Sequence, residues 1–214
     1  EADLGRSLEE VFARFERKPL AAASIAQVHV AELHSGEEVV VKVQRPTIRS
    51  QVYRDLEVMA WLAPFLVGRI PVSALANPPA LVELFTETIT EELDFRLEAE
   101  NMLDVAEVFA KLGQRGFVVA RPHPGLVTRR VLVMERLSGY GWEDIEGMVA
   151  GGINGHDVIR TGMVGFTEGA MVHGIFHGDL HGGNLFVLAD GRIALLDFGI
   201  TARMTEKERL AFLK

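Results

Sequence analysis

The sequence predicts an α+β fold in two lobes, and three features predict it. A β-branched run, Val39-Val40-Val41-Lys42-Val43, follows a strand-like stretch from Ser24 to Leu33 across His34-Ser-Gly-Glu37, the pattern of an antiparallel hairpin. Ala80 to Leu112 is a long helical run, as one helix or two, closed by Gly113. Asn184 to Val187 and Ile193 to Leu196, around Ala189-Asp190-Gly191, form a second short hairpin. An N-terminal antiparallel sheet with long helices, followed by a smaller lobe, accommodates all three.

The remaining elements follow in order. Leu4, Leu8, Val11, Phe12 and Phe15 recur at helical spacing, which predicts an amphipathic helix over residues 4–17 before Pro19. The hairpin ends before Pro46, and a helix is expected from there to Ala63, broken by Pro64 and by the Ile70-Pro71 to Pro79 stretch. Val118-Val119-Ala120 and Val131-Leu132-Val133-Met134 read as a strand pair, and Ser138-Gly139-Tyr140-Gly141 as the loop after it. The composition changes there, so the lobes divide as residues 1–137 and 138–214. His156 to His173 reads as a buried, glycine-containing helix.

Composition narrows the functions. The charge is 22 − 30 = −8 over 214 residues, which argues against a general nucleic-acid binder. With no cysteine, disulfides, thiolate metal sites and cysteine nucleophiles are excluded. Apolar content of 48% supplies a core, which argues against disorder. The apolar stretch from Val58 to Val72 carries two prolines and an arginine and is too short to cross a bilayer as a helix. The chain starts at Glu1 without an apolar leader, which is the expectation for a segment of a longer protein.

The chemistry concentrates near the C-terminus. His177-Gly-Asp179-Leu-His181-Gly-Gly-Asn184, a hairpin, and then Asp197-Phe198-Gly199 follow H-x-D-L-x-x-x-N and D-F-G. Phosphoryl transfer needs a carboxylate to orient an attacking hydroxyl, and an amide oxygen with a second carboxylate to hold magnesium against phosphates. Asp179, Asn184 and Asp197 supply one each. Singly, each is an ordinary turn or strand-end residue; the ordered set is what points to chemistry. A zinc site from His173, His177 and His181 would need one continuous helix, which Gly174, Gly178, Gly182 and Gly183 disfavour. His177 reads as a brace for the loop, and His181 stands where protein-serine kinases carry lysine.

The C-terminal motifs resemble those of protein-kinase-like enzymes. Together with Lys18-Pro-Leu-Ala21-Ala22-Ala23-Ser24-Ile-Ala26-Gln27, Lys42-Val-Gln-Arg-Pro46 and Glu92-Leu-Asp94-Phe-Arg-Leu-Glu98-Ala-Glu100, the chain resembles the UbiB (AarF) family of atypical protein-kinase-like proteins from Arg17 to Gly199. The resemblance implies a protein-kinase-like two-lobed fold. It makes 1–137 an N-lobe with an alanine-rich nucleotide loop and inserted helices, and 138–214 a partial C-lobe, truncated after the metal-binding D-F-G. Ala21, Ala22, Ala23 and Ser24 would form the nucleotide loop, with Lys42 contacting phosphates and Glu92 as its helical ion-pair partner. Asp179 would be catalytic, Asn184 and Asp197 would bind magnesium, and Glu135 and Leu137 would flank the hinge that meets adenine. Glu98 is implied to pair with the lysine of a K-x-G-Q motif absent from this chain.

Alanines in place of glycines leave a stiffer phosphate loop, because alanine does not readily take positive φ. The resemblance implies a kinase or ATPase using ATP or ADP and magnesium, tied to isoprenoid-quinone (ubiquinone) biosynthesis or lipid handling. Its partners would be a lipid or quinone precursor and membrane-associated biosynthetic enzymes, in the cytoplasm or peripheral to the inner membrane. The string His177 to His181 also fits small-molecule phosphotransferases of the aminoglycoside- or choline-kinase type. A nucleotide-sensing pseudokinase is the third alternative.

Overall fold

In the computed structural model, residues 1–67, 69 and 77–212 are described. An N-terminal six-stranded sheet consists of β1 (Phe12–Phe15), β2 (Ala21–Ala22), β3 (Ala26–Leu33), β4 (Glu38–Gln44), β6 (Pro122–Val127) and β7 (Val131–Glu135). Its order is β1-β3-β4-β7-β6, with β2 also paired to β3. The predicted hairpin is β3–β4, in antiparallel register that sets Val28 opposite Lys42.

This sheet is covered on both faces, which explains the uninterrupted apolar run of β4. Val39 and Val41 point into a cluster with Val11, Phe12, Ala31, Val131 and Val133. Val40 packs on the other core cluster, with Ala26, Phe95, Leu132 and Met134. Strand alternation therefore places Lys42 on the Phe95 side.

The expected helix over 4–17 is mostly not a helix. Ser7 and Glu10 form a capping box on a single turn, α1 (Leu8–Val11), and the chain then runs into β1, antiparallel to β3. Leu4, Leu8, Val11, Phe12 and Phe15 all pack in one cluster, so the predicted burial holds. The free hydrogen bonds of the β3 edge decided the conformation against helix.

Among the described residues, three helices lie between β4 and β5 (Phe117–Val119). α2 (Ile48–Leu66) continues through Pro64 for two residues, because a proline in the last turn disturbs little downstream. The break expected at Ile70-Pro71 falls on 70–76, outside the described residues. α3 (Pro78–Glu92) and α4 (Phe95–Leu112) divide the long run at Leu93 and Asp94. Gly113 ends α4 at φ 63°, the left-handed conformation that favours glycine.

The strand pair expected from 118–120 with 131–134 is not formed. β7 pairs with β4 and β6, whereas β5 lies parallel to β11 (Ile193–Leu195). The second sheet runs β5-β11-β10-β8, where β10 is Leu185–Leu188 and β8 is Gly139–Gly141. The segment 138–141 thus includes a short strand, and β5 joins strands from beyond residue 137. After α5 (Ile145–Ala150), α6 (Gly155–Glu168) widens into a π turn at Gly169–His173. It is less buried than expected: within α6 only Val158 and Gly165 are enclosed. β9 (Ile175–His177) pairs antiparallel with β12 (Thr201–Arg203), and α7 (Glu206–Phe212) follows. Among the described residues, no helix is long and apolar enough to cross a membrane.

Candidate functional site

Two crossings build the site. The first is β4 against α4. The Asp94 side chain accepts from the Arg96 N–H and so caps α4, while the Phe95 N–H donates to the Arg129 carbonyl at 3.1 Å. This places Glu98 in the first turn of α4, facing β4. Lys42 Nζ donates to both Glu98 oxygens at 2.8 and 3.0 Å and to Asp197 Oδ2 at 3.2 Å, and lies 5.2 Å from the Phe95 ring centroid.

The second crossing is β9 against β12. With Thr201 opposite His177, the loop after β9 and the segment before β12 run side by side, which brings Asp179 and Asp197 to one cleft. Gly178 donates to the Ile200 carbonyl at 2.9 Å, and a Cβ there would stand 2.7 Å from Ile200 Cγ2, so the crossing needs a residue without a side chain.

The cleft encloses about 290 Å³ and is lined by Ser24, Lys42, Glu92, Asp179, Asn184 and Asp197, among others. His177 braces it: Nδ1 accepts the Asp179 N–H at 3.1 Å, and its ring lies 5.5 Å from that of Phe198. Asn184 Nδ2 donates to the Asp179 carbonyl at 3.1 Å. His181 Nε2 stands 3.7 Å from Asp179 Oδ2.

Electrostatics follow from burial and pairing. Burial would lower the Lys42 pKa, but Glu98 and Asp197 outweigh it, so Lys42 is raised and stays charged. Burial would raise Asp197, yet Lys42 and the Gly199 N–H hold it below the ordinary value. Glu92 is raised, first by burial and then by repulsion from Asp197 and Asp179, with Lys42 opposing. Burial holds His177 below the usual histidine value.

The partner expected for Lys42 is corrected. Glu98, not Glu92, holds the lysine. Glu92 is the last residue of α3, and the break at Leu93-Asp94 puts the two glutamates on different helices. Ala23 and Ser24 line the cleft, while Ala21 and Ala22 are exposed in β2, paired to β3. Glu135 and Leu137 are not among the residues lining this space: the Glu135 N–H donates to the Arg121 carbonyl, and Leu137 packs on the core.

The sequence profile of the ABC1 atypical kinase-like domain matches residues 1–214. The chain belongs to the ABC1 atypical kinase-like family. The uncharacterized protein Rv0647c of Mycobacterium tuberculosis is 40% identical over 208 residues, covering 97% of this chain and 42% of that protein. The chloroplastic Activity of bc1 complex kinase 1 of Arabidopsis thaliana is 37% identical over 210 residues, 98% of this chain and 30% of the relative. A probable protein kinase UbiB of Vibrio parahaemolyticus is 38% identical over 188 residues, 87% and 34% respectively. The chain therefore spans less than half the length of these relatives. Among solved structures, Rv3197 of Mycobacterium tuberculosis in complex with erythromycin superposes with a TM-score of 0.75 at 31% identity, covering 94% of this chain and 50% of that one.

Within this ABC1 domain, sequence reasoning missed the role of Glu98 and the contributions of Phe95 and Ile25 to the cleft. A signal for Glu98 was present: Asp94 is a good N-cap, and a helix starting there carries Glu98 one turn in.

Proposed function

We propose that the cleft binds a magnesium nucleotide, ATP or ADP, and that the chain is the core of an atypical kinase or ATPase. The observation that carries this reading is the convergence of buried Lys42 on Glu98 and Asp197 beside Asp179 and Asn184. Among the described residues no group of three His, Cys, Asp or Glu is placed to hold a metal alone. Magnesium is usually held by one or two carboxylates plus substrate phosphates. Asp197 and the Asn184 side-chain oxygen are the donors; Glu92 is raised first by burial and then by repulsion from Asp197 and Asp179, and a cation would relieve that repulsion. When bound, the metal supplies charge neutralisation on the phosphates.

Lys42, charged and fixed by two carboxylates, adds a second positive group. Asp179 orients the attacking hydroxyl or water and accepts its proton, with its backbone held by His177 and Asn184. Ala23 and Ser24 border the space for the phosphates. The acceptor belongs to isoprenoid-quinone biosynthesis or lipid handling, as the resemblance to the UbiB family implies, with membrane-associated enzymes as partners. The erythromycin complex of the solved relative favours a second reading, a small-molecule phosphotransferase.

Thermal stability with ATP or ADP, each with and without magnesium, tests the first reading, because a ligand bound only by the folded state raises the midpoint. A magnesium-dependent rise that disappears in Asp197→Asn is expected. An equal rise in both proteins, or none in a folded wild type, refutes it. Nucleotide binding without turnover would identify a pseudokinase, and ADP release on adding a small hydroxylated acceptor would favour the second reading.

A further inference from the structure

Asp197 acts through its carboxylate, and two of its contacts are already placed: Oδ2 on Lys42, and Oδ1 accepting the Gly199 N–H at 2.9 Å. Those contacts orient the side chain relative to the peptide that follows, and something must fix that peptide. The Phe198 ring is fully buried in the core. Its carbonyl accepts from Asn101 Nδ2 at 3.0 Å. The other end of the same amide, Asn101 Oδ1, accepts from Arg203 Nη2 at 3.3 Å, and Arg203 also donates to Asp104 Oδ2 at 2.5 Å.

Glu98, Asn101 and Asp104 are three residues apart in turn, so each neighbours the next on the surface of α4. That row of neighbours holds the partner of Lys42, the peptide after Asp197, and the strand that follows it. We infer that Asn101 is a positioning residue for Asp197, and that Asn101, Asp104 and Arg203 make α4 and residues 197–203 move as one body. The consequence for the magnesium nucleotide rests on the reading above. The clamp itself is a property of the free chain. The amide suits this place because its two ends are separate atoms: Nδ2 donates to the Phe198 carbonyl while Oδ1 accepts from Arg203, a span that a single serine hydroxyl oxygen does not offer.

Asn101→Asp tests this, because it keeps the acceptor for Arg203 and removes the donor to Phe198; Asn101→Ser, smaller and uncharged, serves as a second variant. Hydrogen exchange in the free proteins is expected to quicken about tenfold at residues 199–203 in both variants, with residues 102–112 of α4 unchanged, as loss of one hydrogen bond predicts. The magnesium concentration that half-saturates nucleotide binding should rise by about the same factor, while magnesium-free nucleotide affinity stays constant. Wild-type exchange at 199–203, or equal quickening throughout α4, overturns the inference. If the wild type binds no magnesium nucleotide, the reading of the cleft fails, and the exchange result alone decides for or against the clamp.

Discussion

α3 and α4 are neighbouring helices joined through Leu93 and Asp94, and both carry regularly spaced apolar residues. α4 buries Phe95, Glu98, Ala99, Met102 and Val105, whereas no residue of α3 is buried and Leu81, Leu84 and Phe85 are exposed. The nearest glutamate on each side of the junction differs accordingly: Glu98 is 5% exposed and ion-paired to Lys42, while Glu92 is half-buried and is repelled by Asp197 and Asp179; burial raises the pKa of both. Amphipathic spacing makes a helix; the polar contacts at one end of α4 decide which helix becomes part of the site.

The sharpest way to break this contrast is to remove each glutamate. Glu98→Ala leaves buried Lys42 with only the partly exposed Asp197, and is expected to cost about 3–5 kcal/mol in urea unfolding. Glu92→Gln relieves repulsion from Asp179 and Asp197, so its unfolding midpoint at neutral pH should equal or exceed wild type. A loss from Glu92→Gln matching that from Glu98→Ala would contradict the assigned pairing. Core packing comes next. Met102→Ala should cost about 2–5 kcal/mol, and Leu84→Ala within about 0.5 kcal/mol, both read from the same unfolding curves.

Smaller still is the cap. Asp94→Ala should lose about 0.5–2 kcal/mol, with Asp94→Asn recovering part of it by restoring the cap without its charge. The acid limb is the finest comparison. Asp94 is held below the ordinary aspartate value by its hydrogen bonds to Arg96, and Asp197 by Lys42 and the Gly199 N–H against burial. Near 3.8 the folded form therefore binds fewer protons than the unfolded chain. Their stabilisation is complete above that value and is lost as pH falls through the lower folded values. Asp94→Asn should flatten the fall in unfolding midpoint measured from about pH 6 to about pH 2. Glu92 works in the opposite sense, its destabilisation fading as it protonates. An unchanged acid limb in Asp94→Asn would show that its ion pairs with Arg96 and Arg129 contribute nothing in solution.

Much of the site was legible in the residues. Lys42, Asp179, Asn184 and Asp197 meet at one cleft, as the ordered motifs anticipated, because short hairpins and tight turns hold their neighbours in local register. The hairpins β3–β4 and β10–β11 were equally legible, since strand alternation and turn residues are local properties. The helix expected over 4–17 failed where a distant strand edge competed for its hydrogen bonds. The partner of Lys42 was misassigned because the capped break at Asp94 separates residues that look continuous in a periodic run.

The sequence by itself determined the α+β class, the apolar faces and which polar residues meet at the cleft, because these depend on side-chain identity and short spacing. Only the tertiary structure decided that β5 joins β11, that Glu98 takes Lys42, and that Asn101 grips the peptide after Asp197. Each of these joins segments more than 50 residues apart, where packing and the need to pair buried polar groups select one partner among several that local pattern leaves equal.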